Sequence, residues 1–209
     1  EVYIDEVAES VWQVFLSGGE KAPKRLILGA VEAILIKWNC PFLYQNKAEE
    51  LLDALRNDEI SRELEAAYNS AESWLARLYD LSLGTPNFAD HLGTIKRVYA
   101  EFRERPTIKS VGASKVLHFI HPLLFVPWDT KIRNNYHKYD PTHNKQHEIG
   151  SPECYADFMK TCNRIATKAL EKISKEELSQ RHPAYDELRH IRTIAKMLDE
   201  CNYCWFTKE

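Results

Sequence analysis

Between residues 60 and 78, apolar side chains recur at steps of three and four: Ile60, Leu64, Ala67, Ala71, Trp74, Leu75 and Leu78. That spacing puts all of them on one stripe of an α-helix and would scatter them over both faces of a strand. A helix with a single apolar stripe has to bury it against a neighbouring element, so each such segment demands a partner. The same period runs through almost the whole chain, and nowhere do alternating runs flank an Asn-Gly or Asp-Gly turn. The expectation is an all-α, multi-helix globular fold in two lobes, forming one domain over 1–209, with a helical hairpin near 106–120.

Proline, glycine and capping residues set the boundaries. A first helix is expected over Asp5–Leu16, ended by Ser17-Gly18-Gly19, and a second over Pro23–Trp38, where proline opens the helix without losing a bonded N–H. Asn46 with Glu49 has the spacing of a capping box and predicts a helix to about Arg56. Gly84 is expected to close the helix that starts near Ile60, and Thr85-Pro86 to open one that Pro106 stops after Glu104. A short helix through Val116, Leu117, Phe119 and Ile120 ends at His121-Pro122, and Pro122–Pro127 makes a compact apolar link. Beyond it, helices are expected over Asp129–Tyr139, from Ser151-Pro152 to Ile173, and from His182-Pro183 to Cys201. The polar stretch to Gly150 includes Tyr136–His147 with three histidines, a loop that could face a polyanion.

At 209 residues with 44% hydrophobic and 28% charged side chains, the chain can bury a substantial core. The run Leu26–Trp38 is interrupted by Glu32 and Lys37, well short of the roughly 18 apolar residues of a membrane span. Glu1–Glu6 is acidic where a secretory leader would be cationic, so no leader is expected. Five cysteines, at 40, 154, 162, 201 and 204, do not space like a disulfide framework. Reduced thiols in a cytoplasmic protein, or a nuclear one in a eukaryote, are the simpler expectation. Cys201-Asn202-Tyr203-Cys204 has the gap of a zinc knuckle or redox pair, but no second such pair exists, and small apolar side chains at a helix end are the alternative. No metal is expected there.

The net charge is −3, which taken alone argues against a polyanion partner. Its distribution argues the other way. From Thr94 to His147 there are ten Lys and Arg against four acids, while the rest of the chain carries eighteen against twenty-seven. A basic zone of this kind suits phosphate neutralisation, although a solvated helical surface would show the same bias.

Within that zone lies the one stretch that hints at chemistry. Lys109-Ser110-Val111-Gly112-Ala113-Ser114-Lys115 places a glycine where a tight interhelical turn could aim backbone N–H groups at a phosphate. Seventeen residues after Gly112, Asp129 opens the next helix within Pro127-Trp128-Asp129-Thr130-Lys131-Ile132. Together these segments resemble the helix-hairpin-helix DNA glycosylases of the HhH-GPD superfamily, whose hairpin reads roughly L-P-G-V-G-x-[KST]-x-A and whose acidic residue sits in V-D-T-H-V. The likeness covers about 106–136. Ser110 stands in place of the first hairpin glycine, and Trp128 where a small apolar residue usually precedes the Asp. Some family members hold an iron–sulfur cluster on four cysteines after that Asp; the spacing here does not match, so none is expected, nor any soluble cofactor.

The resemblance implies a hydrolase of N-glycosyl bonds that flips a damaged or modified base out of duplex DNA during base excision repair. The segment 106–140 would carry hairpin and catalysis. Asp129 would be the essential carboxylate, stabilising the oxocarbenium-like sugar or orienting a water, with N-capping of its helix as the bland alternative. In strict register the sugar-facing position of the hairpin falls on Ser114, with Lys115 one residue later; a lysine there would attack the sugar and add AP-lyase activity, whereas serine implies water. Val111, Gly112, Ala113, Lys109, Lys131 and Arg133 would contact DNA phosphates. Trp128, Tyr136 and His118 would wall the base, although such residues are more often core; His118 and His121 stand three apart but lack a third metal ligand. A monomer is expected, with no membrane partner. A non-catalytic helical module binding DNA or protein through the basic face remains the alternative, and a helical protein with no nucleic-acid contact a third. Phosphate-loop, nucleophile-elbow and H-E-x-x-H signatures are absent.

Overall fold

The computed structural model describes residues 28–29, 58–139, 147–172 and 193–207. The described residues form six α-helices and one 3-10 turn and contain no strand, so the fold is all-α. The helices are α1 (Glu59–Ala76), α2 (Leu92–Arg103), α3 (Lys109–Ile120), α4 (Thr130–Tyr139), α5 (Pro152–Lys172) and α6 (Ile194–Thr207). The expected helices near 5–16, 23–38 and 46–56 lie outside the described residues, apart from the helical pair Leu28 and Gly29. No described helix is long and apolar enough to cross a membrane.

The periodicity of α1 reports its packing directly: Ile60, Leu64, Ala67, Ala71 and Leu75 are buried along one side. That side rests on α2, which is the most connected of the described helices and also contacts α3 and α5. Ile95, Val98, Tyr99 and Phe102 of α2 are all fully buried. They stand at i, i+3, i+4 and i+7, one stripe that the helix buries against its neighbours. Trp74 stays at the margin, with the guanidinium groups of Arg77 and Arg97 at 4.5 and 4.6 Å from its ring centroids.

Gly84 does not end α1, contrary to the sequence expectation. The helix stops at Ala76, and Leu78, Leu81 and Leu83 go on filling the core from irregular backbone. Gly84 turns that backbone at φ +91°, and its N–H donates to Asn163 Oδ1 of α5 at 2.7 Å. The segment after Thr85-Pro86 begins as a 3-10 turn, Phe88–His91, before becoming α2.

Pro106 stops α2 as expected, and the turn that follows is pinned from outside. Glu63 of α1 accepts both the N–H and the hydroxyl of Thr107, the former at 2.9 Å. α3 then starts at Lys109, which adopts φ +55°. The link after α3 packs as a compact apolar piece, with Leu124, Phe125 and Val126 fully buried. Tyr155 donates to the Val126 carbonyl at 3.0 Å, and Leu83 N–H to the Leu123 carbonyl at 3.1 Å. Ser151 caps α5 through its hydroxyl to Cys154 N–H at 3.2 Å, and Thr193 caps α6 in the same way at Lys196 N–H, 3.1 Å. α6 runs to Thr207, beyond the Cys201 at which the sequence predicted its end, and packs on α4 and α5.

A Cβ at position 84 would sit 2.5 Å from Leu170 Cδ1 in a backbone region that L side chains avoid. Gly84→Ala should therefore lower stability by about 1–3 kcal/mol, read as a shift in the denaturant midpoint at constant slope.

Candidate functional site

The hairpin exists as two helices joined by a short turn, but the turn is not where Gly112 stands. Backbone reversal occurs over Glu104–Ile108, where the N–H groups of Ile108 and Lys109 both bond to the Arg105 carbonyl, at 3.1 and 3.0 Å. Gly112 is a helical residue of α3 with no positive φ, and it is buried together with Ala113 and Ser114. The expectation that Val111, Gly112 and Ala113 form a tight turn is corrected on that ground: all three are residues of the first turns of α3. Val111 is half-buried, and its carbonyl accepts the Ser114 hydroxyl at 2.9 Å.

Ser114 is likewise committed. Its fully buried hydroxyl lies 3.2 Å from the Trp128 carbonyl and accepts the Trp128 N–H at 3.1 Å. A hydroxyl so placed ties α3 to the residue before Asp129 and cannot flank a sugar. Trp128 is 1% exposed, edge-on to Tyr99 and Tyr155 at 6.1 and 5.0 Å and tilted against Phe158 at 5.2 Å. Its indole N–H donates to the Ser110 carbonyl at 3.3 Å. No face of the ring is left for an extruded base, so Trp128 belongs to the core and not to a base pocket.

His118 is also core. Its Nδ1 is 2.7 Å from the Phe125 carbonyl, and because a carbonyl only accepts, Nδ1 carries the proton. Burial pushes its pKa down to about 4, with the Phe125 hydrogen bond and Asp199 pulling weakly the other way. His121 is held at Nε2 by the Leu78 carbonyl, 2.8 Å away, and burial lowers its pKa too. Both rings are spent on backbone carbonyls. Among the described residues no group of three His, Cys, Asp or Glu side chains is arranged to hold a metal ion. Tyr136 is the base-pocket candidate that keeps some exposure; it sits edge-on to Phe158 at 4.8 Å and donates to Asn202 Oδ1 at 3.1 Å.

Asp129 and Lys115 act on each other electrostatically. Asp129 is half-buried just ahead of α4, and its Oδ1 accepts the Ile132 N–H at 2.7 Å, the N-cap geometry that its position predicts. The Lys115 amine, on α3, is largely buried. Desolvation lowers its pKa, while the carboxylates of Asp129 and Asp199 act on it in the opposite sense. Asp199, on α6, was not singled out in the sequence, and neither was Asn202 three residues on. Asp199 also pairs with Lys196 at 2.7 Å, and Asn202 is 7% exposed with an amide Nδ2 that lacks a partner among the described residues. Their shared helical face is the signal in the sequence, and the expected end of that helix at Cys201 leaves Asn202 outside it.

Of the basic residues, Lys109 and Lys131 are exposed. Arg133 instead turns inward, donating from Nη1 to Ser110 Oγ at 2.7 Å, with a buried Nε that has no partner among the described residues. Beside it Arg103 donates from Nε to the Gly150 carbonyl at 3.1 Å, which also lies 3.3 Å from the Tyr99 hydroxyl. These cations brace the hairpin from within.

Because His118 binds its proton more weakly folded than unfolded, the unfolded chain takes up more protons between pH 6.5 and about 4, and stability falls as pH drops through that window. The loss should approach about 3 kcal/mol at the acid end. His118→Asn keeps a donor for the Phe125 carbonyl and removes the titration, so its unfolding free energy should vary less across the same interval. Identical pH profiles for the two proteins would show that His118 is not the group responsible. Comparison with protein-family models, with curated proteins and with solved structures found no match for this chain.

Proposed function

We propose that this chain is a DNA N-glycosylase of helix-hairpin-helix type, which extrudes a modified base from duplex DNA and hydrolyses its bond to the sugar. The observation that carries the proposal is the carboxylate fixed by the Ile132 N–H at the start of α4, whose charge acts on the partly desolvated Lys115 amine of the second hairpin helix. Glycosidic cleavage builds positive charge on the sugar, and a fixed carboxylate stabilises that charge without reorganising. With the Ser114 hydroxyl consumed by Trp128, the position beside the sugar falls to Lys115. Asp129 would serve both as helix cap and as the essential charge. DNA phosphates would be met by exposed Lys109 at the N-terminus of α3, which no side chain caps, and by exposed Lys131 in the first turn of α4.

Asparagine caps a helix as well as aspartate does, so Asp129→Asn separates the two roles. The variant should keep wild-type stability and release bases from a panel of modified duplexes at least about 100-fold more slowly. Equal rates would remove Asp129 from the chemistry. Borohydride added during turnover distinguishes the routes: a covalent adduct lost in Lys115→Ala marks attack by the amine, whereas base release with no adduct marks water.

A second reading has its own support, because the Asp129 carboxylate already has a structural task at Ile132. On that reading the chain is a non-catalytic module that binds DNA through its basic zone. Duplex binding that weakens steeply with salt, with no base released from any substrate, selects it.

A further inference from the structure

The last two cysteines do not behave as small apolar side chains at a helix end. Cys201 and Cys204 are both exposed and both free, in contrast to Cys154 and Cys162, which are buried in α5. They sit three residues apart on α6, whose inner side is marked by buried Ala195 and Asn202. Trp205 follows Cys201 by four residues, so it stands beside the same outer face, and it is 78% exposed. Tyr203, on the flank, is 54% exposed.

We propose that Cys201 and Cys204 are one half of a tetrahedral zinc site that a second copy of this chain completes with the same pair. Residues three apart on a helix hold their Cβ atoms about 5–6 Å apart. A disulfide needs about 3.5–4.5 Å, so these thiols cannot join while the helix is intact. Sulfur atoms in a disulfide lie about 2.0 Å apart, whereas sulfur ligands on zinc lie about 3.8 Å apart for Zn–S bonds of about 2.3 Å at the tetrahedral angle, a separation that side-chain rotation alone gives the two thiols. Two ligands are half of what structural zinc takes, and no third His, Cys, Asp or Glu joins them among the described residues. A two-fold axis through the metal supplies the missing pair from an identical surface. It also covers Trp205, whose exposure in the single chain is unusual for so large an apolar ring. Binding releases the four thiol protons and leaves a four-thiolate site around Zn²⁺, with no change of oxidation state.

The experiment is zinc titration of the full, metal-free chain under a phosphine reductant, with metal content and mass by light scattering read on the same samples. The expected result is about one zinc per two chains, a doubling of mass that a chelator reverses, and quenching of tryptophan fluorescence. Cobalt in place of zinc should give the thiolate charge-transfer absorption of a four-sulfur site. Cys201→Ser with Cys204→Ser should lose metal uptake and mass doubling together while keeping the helix content. Absence of zinc uptake overturns the proposal. So does uptake of one zinc per chain without a change in mass, which would place the other ligands within the same molecule, and so does a zinc-dependent dimer that survives in the double variant.

Discussion

Four segments of this protein meet on two backbone carbonyls. The Ser110 carbonyl accepts from Tyr99 at 3.0 Å and from the Trp128 indole at 3.3 Å, and the Gly150 carbonyl accepts from Tyr99 and Arg103. Around them Tyr99 stacks on Tyr155 at 4.1 Å, and Trp128 and Phe158 close the aromatic cluster. Such ring pairs add about 0.5–1.5 kcal/mol each beyond the area they bury, and their polar ends satisfy groups that would otherwise cost more than that to leave unpaired. Burial accordingly drives the Tyr99 and Tyr155 hydroxyls far above the usual phenol range. By comparison, the surface ion pair of Lys96 with Glu153 at 3.4 Å joins two half-exposed side chains and contributes at most about 1 kcal/mol.

This cluster decides where the charged residues of the hairpin stand. Trp128 is its largest member, and Asp129 is the next residue, so the aromatic packing that locks Trp128 fixes the start of α4. Ser114 closes the connection: its hydroxyl accepts the Trp128 N–H while its proton goes to the nearer Val111 carbonyl. One residue later along α3, about 100° around the helix, Lys115 stands off the Ser114 contact, and the charges of Asp129 and Asp199 act on its amine. Opposing influences then act on its amine, with loss of water favouring the neutral form and two acids favouring the charged one.

Gly112 shows why a motif can be visible while its geometry is not. Glycine permits a turn but does not require one, and here the burial of Ala113, Val116 and Leu117 along with Gly112 is gained by extending α3 back to Lys109. The reversal moves to the segment after Pro106, where a carboxylate from α1, Glu63, holds Thr107. Nothing local to the hairpin encodes that contact. Trp128 and His118 are similar cases: an aromatic or imidazole near an acidic residue has the same composition whether it lines a cleft or fills a core. The opposite error occurred at Cys201 and Cys204, which composition assigns to an interior and the packing of α6 leaves outside.

The sequence by itself determined the helical class, the burial stripe of α1, the stop at Pro106, the apolar link after His121 and the Asp129 cap of α4, because each depends on periods and side-chain chemistry within a few residues. Tertiary structure decided the rest. Which side of α6 faces inward, which cations brace the hairpin and which remain in water, and which carboxylates reach Lys115 are set by how separate helices dock. Docking is governed by volume and hydrogen-bond closure between residues tens of positions apart, and no local pattern in a single chain records it.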